Sequence, residues 1–153
     1  MRKVILSLGI SLDSYIARPN GDVDFLFRPK DYSTASSFAT VDTAIMGRKT
    51  LEVGLKMAGG SLPASSMAYH LFSQSKPPGK CDGWTFINES PAAFIAKLRR
   101  HSGKNIWLMG GGELARDFLK ADLVDDSISA SCQSCSAKAF HSSPAAFPNA
   151  SSS

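Results

Sequence analysis

Residues 105–114 read NIWLMGGGEL, and few folds accommodate that order of residues. Ile106, Trp107 and Leu108 form a short apolar run, which suits a buried strand ending near Met109. Gly110, Gly111 and Gly112 follow without a gap. Glu113 then opens a helical pattern in which Leu114, Ala115, Phe118 and Leu119 share one face. Strand, glycine turn and helix N-terminus in that order make an anion site. The helix offers unpaired N–H groups and the positive end of its dipole, and glycine lets a phosphate approach the backbone. The plainer reading is a tight turn that needs positive φ. Three consecutive glycines at a strand end favour phosphate or pyrophosphate. Neither the P-loop pattern nor the Gly-x-Gly-x-x-Gly turn is present, so a nucleotide needs a second contact elsewhere in the chain.

The remaining chain repeats the alternation. Residues 3–10 read as a first strand, 43–46 as a second and 84–87 as another, with 68–73 between them. Helices are predicted from Asp31 or Ser33 to about Thr40, from Arg48 onward, and from Ser90-Pro91, where a capping serine precedes proline. Phe94, Ile95 and Leu98 give that last helix its buried stripe. Residues 57–66 and 74–83 read as loops. Strands alternating with helices predict an α/β fold with helices on a mostly parallel sheet.

At 153 residues the chain is one domain long. Its 43% hydrophobic and 20% charged residues are those of a globular protein. No apolar run has the length of a membrane span and the N-terminus lacks a signal-peptide pattern, so the expectation is a cytoplasmic protein that does not touch membranes. The net charge of +4 comes from basic residues that do not cluster, which argues against nucleic acid and for a small anionic ligand. Arg99-Arg100 falls at a helix C-terminus, where cations suit the dipole.

Residues 127–153 differ from everything before them. They hold ten serines and six alanines, and Lys138 is their only charge. No period of 2 or 3.6 runs through them, so this tail is expected to be irregular. Cys132 and Cys135 have CxxC spacing with His141 nearby, but there is no fourth ligand and no strand-to-helix setting, so neither zinc nor redox chemistry is supported. With Cys81 the cysteines number three, which does not suit a disulfide framework.

Four segments together resemble the dihydrofolate-reductase-like family, in particular the C-terminal reductase domain of the riboflavin-biosynthesis deaminase–reductase and its free-standing relatives. They are SLDSYIA at 11–17, GDVDFL at 21–26, MGRKT at 46–50 and MGGGEL at 109–114. The resemblance covers residues 1–126, taken as the domain. It implies a three-layer sandwich with a mixed, mostly parallel sheet, and an NADPH-dependent reductase acting on a pteridine-like or ribosylaminopyrimidine substrate. The resemblance sets Ala17, Gly47, Arg48 and Thr50 against the cofactor, with Arg48 and Thr50 at its phosphates. It assigns Gly110, Gly111, Gly112, Glu113 and Leu114 to the pyrophosphate and Ser73 to the nicotinamide half. Asp13 is its candidate proton donor or substrate-orienting group, and Asp24 its candidate substrate contact, although Asp24 also reads as a residue that opens a turn. The chemistry of the residues agrees for Arg48, since a guanidinium suits a 2′-phosphate. Arg48 also reads as a solvated surface charge, and Asp13 as a turn residue bonding its own backbone. The expected partners are a small-molecule substrate and, at most, a second copy of the chain in a homodimer.

Ser14 stands where the family carries glycine, and Leu51 where it carries an aromatic residue. The tail departs most, because relatives continue after residue 126 with strands and a Pro-Val-Leu-Leu-Gly-x-Gly-Ile-Pro-like run. Codons allowed for residues 127–144, read two bases later, spell such a run, so a frameshift near Asp126 is the expectation for the tail. On that view the terminal strands are missing. Two other functions stay open: a nucleotide binder without turnover, and a basic nucleic-acid-binding module.

Overall fold

The computed structural model of the chain describes residues 1–10, 19–20, 39–57, 59–60, 66–81 and 83–131. Ten elements follow one another: β1 (Val4–Ile10), β2 (Val41–Gly47), α1 (Arg48–Met57), β3 (Ala68–Phe72), β4 (Gly79–Cys81), β5 (Trp84–Ile87), α2 (Pro91–Arg99), β6 (Asn105–Leu108), α3 (Gly112–Lys120) and β7 (Asp126–Ser131). The strands form one sheet in the order β4-β5-β3-β2-β6-β1-β7. The β1–β6, β6–β2, β2–β3 and β3–β5 pairs are parallel, and β4–β5 is antiparallel. This is the mixed, mostly parallel sheet with flanking helices that the sequence led us to expect.

Parallel strands are buried on both faces, and the register shows how these residues meet that demand. Val4 pairs with Ile106, and Leu6 with Leu108, which in turn pairs with Ile45. All five are buried on one face of the sheet. Phe72 lies on the same face and meets α2 and α3 at once, its ring edge-on to Phe94 at 5.5 Å and to Phe118 at 5.9 Å. The opposite face buries Ala44, Met46 and Leu71 and sets Tyr69 against Trp84 at 5.0 Å.

Local chemistry fixes the helix ends. Ser90 caps α2, its hydroxyl accepting from the Ala93 N–H at 3.3 Å, and Pro91 occupies the first turn. Gly111 precedes α3 at φ 95°, Glu113 lies in the first turn and Lys120 in the last, both favourable to the dipole.

A polar network binds the starting ends of the central strands. Arg2 is 8% exposed; its Nε donates to the Lys104 carbonyl at 2.7 Å and an η nitrogen to the Thr43 hydroxyl at 2.7 Å, and it pairs with Asp42. Asp42 also accepts from the Lys104 N–H at 2.8 Å. Burial pushes the Asp42 carboxyl up, but the Lys104 N–H, the Thr43 hydroxyl and the Arg2 charge together hold it below its usual value. Gly103 lies so close that a Cβ there would stand 2.8 Å from Asp42 Oδ2, so a side chain at 103 would make the Asp42 and Arg2 side chains shift. Beside this network, Asp125 accepts from Arg99 at 2.5 Å and from the Val4 N–H at 2.8 Å, while its own N–H donates to the Val4 carbonyl at 2.9 Å.

Three expectations change or fall outside the described residues. The stretch at 74–83, read as loop, contains the short strand β4. The tail, read as irregular from residue 127, begins with β7 at the sheet edge, where Ile128 is half exposed. The predicted helix from Asp31 or Ser33, most of the tail, and the cysteines Cys132 and Cys135 lie outside the described residues.

The chain divides into two compact units, Met1–Ser7 with Ser33–Ile128, and Leu8–Tyr32 with Ser129–Ser153. The first holds the three helices found among the described residues and most of the sheet. In the second, the described residues are the end of β1, residues 19–20 and the end of β7.

Candidate functional site

Ligands in open parallel sheets bind beyond the carboxyl ends of the strands, where helix N-termini point outward. Two such ends are adjacent here. β2 ends at Gly47 and α1 begins at the next residue; β6 ends at Leu108 and α3 begins after Met109, Gly110 and Gly111. Because β2 and β6 are neighbours, the two helices start close together. The Met109 N–H donates to the Ile45 carbonyl at 2.8 Å and ties the glycine turn to the end of β2.

The two motifs singled out in the sequence therefore meet. Gly110 and Gly111 have φ of 99° and 95°, a region that side chains rarely enter. A Cβ on Gly111 would lie 3.0 Å from the Thr50 hydroxyl oxygen, 3.9 Å from the Gly47 nitrogen and 4.0 Å from Leu114 Cβ. Gly47 is different, since among the described residues a Cβ there would meet nothing within 4 Å. No described residue crowds Gly47, whereas Gly111 packs closely on the first turn of α1 at a φ that side chains rarely adopt.

The charges concentrate the positive potential further. The first turn of α1 contains Arg48 and Lys49 and no acid, so two cations sit at the positive end of a helix dipole. Arg48 donates to Glu52 at 2.9 Å, and the pair is exposed, at 56% and 58%. Ser73 follows β3, one residue beyond the Phe72 that pairs with Gly47. Its N–H donates to the Ile87 carbonyl at 3.1 Å, and its Oγ lies 3.3 Å from Ser75 Oγ. Thus Gly47, Arg48, Thr50, Ser73 and Gly110 to Leu114 all belong to one unit and to one end of its sheet. Gly112 is the first residue of α3, Glu113 is exposed and Leu114 is half-buried.

Asp13, Ala17 and Asp24 lie outside the described residues. Glu52 was not singled out in the sequence, although its i+4 spacing from Arg48 was the available signal. Among the described residues no group of three His, Cys, Asp or Glu is placed to hold a metal, and no helix is long and apolar enough to cross a membrane.

No protein-family profile matches the chain. It is similar to two uncharacterised proteins of Bacillus subtilis strain 168. YwjB is 38% identical over 130 residues, spanning 83% of this chain and 74% of YwjB. YyaP is 29% identical over 136 residues, spanning 82% of this chain and 71% of YyaP. Among crystal structures, a Shewanella sp. PV-4 protein assigned to riboflavin biosynthesis matches at TM-score 0.68 and 26% identity, over 84% of this chain and 76% of that one. A diaminohydroxyphosphoribosylaminopyrimidine deaminase/5-amino-6-(5-phosphoribosylamino)uracil reductase of Thermotoga maritima matches at TM-score 0.61 and 14% identity. That match covers 85% of this chain and 44% of the longer one, and it speaks for the fold alone.

Proposed function

The chain belongs to the dihydrofolate-reductase-like family, and on that premise we propose that it is an NADPH-dependent reductase that delivers hydride to a C=N or C=O carbon of a pteridine-like or ribosylaminopyrimidine substrate. The observation that carries this reading is the meeting of Gly111 with Thr50 at the joined starts of α1 and α3. Two helix N-termini, a glycine turn and a neighbouring guanidinium suit a ligand with a pyrophosphate and a further phosphate.

NADPH, when bound, supplies the hydride from its nicotinamide ring. The chain's own task is to hold and orient. The N–H groups at Gly110 to Leu114 and the Thr50 hydroxyl would hold the pyrophosphate. Arg48 would take the 2′-phosphate in a forked hydrogen bond, and Ser73 and Ala17 would line the nicotinamide half. Asp13 would orient the substrate or pass a proton to the atom beside the reduced carbon, and Asp24 would contact the substrate. The ribosylaminopyrimidine class is supported by the Shewanella protein's assignment to riboflavin biosynthesis.

The test compares NADPH with NADH in equilibrium titrations of the purified chain. NADPH should bind more tightly, and Arg48→Ala should narrow the gap about tenfold, the scale of one charge-assisted hydrogen bond. Equal affinities for the two cofactors in the unaltered protein would overturn the assignment.

A further inference from the structure

The electrostatics of α1 contain a contradiction that stability does not explain. Its first turn carries Arg48 and Lys49 and no acid, although cations at a helix N-terminus oppose the dipole. The only carboxylate in the helix is Glu52, one turn further on. It reaches back to Arg48, Oε1 to Nη1 at 2.9 Å. Both side chains are more than half exposed, so the bond is weak and readily exchanged for another anion. The same Arg48 follows Gly47, whose backbone nitrogen lies against the Gly111 turn.

We propose that Glu52 is a specificity-determining residue, an internal anion that occupies Arg48 in the free protein and that the incoming 2′-phosphate must displace. This rests on the NADPH reading given above and adds a residue that opposes the ligand. A dinucleotide bearing a 2′-phosphate must break the Arg48–Glu52 pair and then bear the repulsion of the freed carboxylate. A dinucleotide with a 2′-hydroxyl does neither. Glu52 therefore lowers the affinity for the phosphorylated cofactor selectively and limits the preference that Arg48 creates. The repulsion between like charges in water-like surroundings, with the lost surface pair, amounts to about three- to tenfold in affinity. The opposite role has the opposite sign: if Glu52 served to hold Arg48 ready for the phosphate, removing it would weaken NADPH binding.

The experiment titrates NADPH and NADH into the full chain, its Glu52→Gln variant and the Arg48→Ala/Glu52→Gln double variant, with thermal unfolding run alongside. Glu52→Gln is isosteric and exposed, so the fold should be unaffected. The expected result is NADPH bound about three- to tenfold more tightly by Glu52→Gln, NADH within about twofold, and the gain absent in the double variant. Unchanged or weaker NADPH binding by Glu52→Gln, with the unaltered chain still preferring NADPH, overturns the role of Glu52 and leaves the reductase reading standing. No preference for NADPH in the unaltered chain overturns both.

Discussion

His70 shows how one residue can set a pH limit on this fold. It stands on β3 with its ring 5.0 Å from Phe94, and its buried Nδ1 has no hydrogen-bond partner. Burial, and secondarily the charge of Arg2, holds its pKa below the ordinary 6.5. Above that value His70 is neutral in both folded and unfolded chains and contributes no pH dependence. As pH falls through 6.5 the unfolded chain takes up a proton that the folded one refuses, and stability declines until the folded pKa is passed. The slope is at most one proton, about 1.4 kcal/mol per pH unit. Thermal unfolding between pH 7.5 and 5.5 should show it, and His70→Leu should flatten it; an undiminished slope in the variant would assign the effect to another group. Asp42 acts in a different window. Its depressed pKa lends stability above the ordinary 3.8, which is lost only as pH falls through the folded value.

At the scale of elements, the unit that matters is β6 with its glycine turn and α3. Gly111→Ala forces a side chain to φ 95° and sets its Cβ 3.0 Å from the Thr50 hydroxyl. It should cost about 1–2 kcal/mol of stability and weaken NADPH binding more than tenfold, read by titration of folded variant. Unchanged affinity would mean that the turn serves packing alone. Adding Thr50→Ala relieves the contact but not the backbone strain, so stability should return only in part. This unit was legible in the sequence because all its signals are local: an apolar run, three glycines, then helical spacing. The same holds for α2, where Ser90 and Pro91 announce the start, and for β5, found at Trp84–Ile87 as read. β4 was not legible, because Gly79-Lys80-Cys81 has neither period nor apolar content and is a strand only by pairing with β5. The Arg2, Asp42 and Lys104 network was invisible for another reason. Its members are separated by 40 and 102 positions, and nothing local marks Gly103 as a residue that lies against them. The site lies between these cases. Each motif could be read singly, but their contact depends on β2 lying beside β6, which strand order decides.

For the whole molecule, the buried apolar residues among those described run from Val4 to Phe118, while Asp126 to Ile128 of β7 are exposed. Among the described residues the core draws nothing from the tail, and the part of the tail that is described adds one edge strand, whose sequence DSISAS lacks an apolar alternating face. The chain with this tail should therefore unfold at low temperature or aggregate. Replacing residues 127–153 with the shifted-frame sequence should raise the unfolding temperature, sharpen the transition and improve NADPH binding. Side-by-side melting and titration decide it, and a chain already stable and fully bound by NADPH, with nothing gained by replacement, would remove the case for a frameshift. The strand order carries one more consequence, which concerns time. β1 is the earliest strand in the chain, yet its neighbours are β6 and β7, and its paired residues Val4 and Ile106 are 102 positions apart. At about 5–20 residues per second a ribosome needs roughly 5–20 s to supply that partner. Throughout that interval the VILSLGI segment has emerged without the strand that buries it. Among the described strands β1 thus waits longest during synthesis, and its apolar side chains are exposed to a chaperone throughout that time.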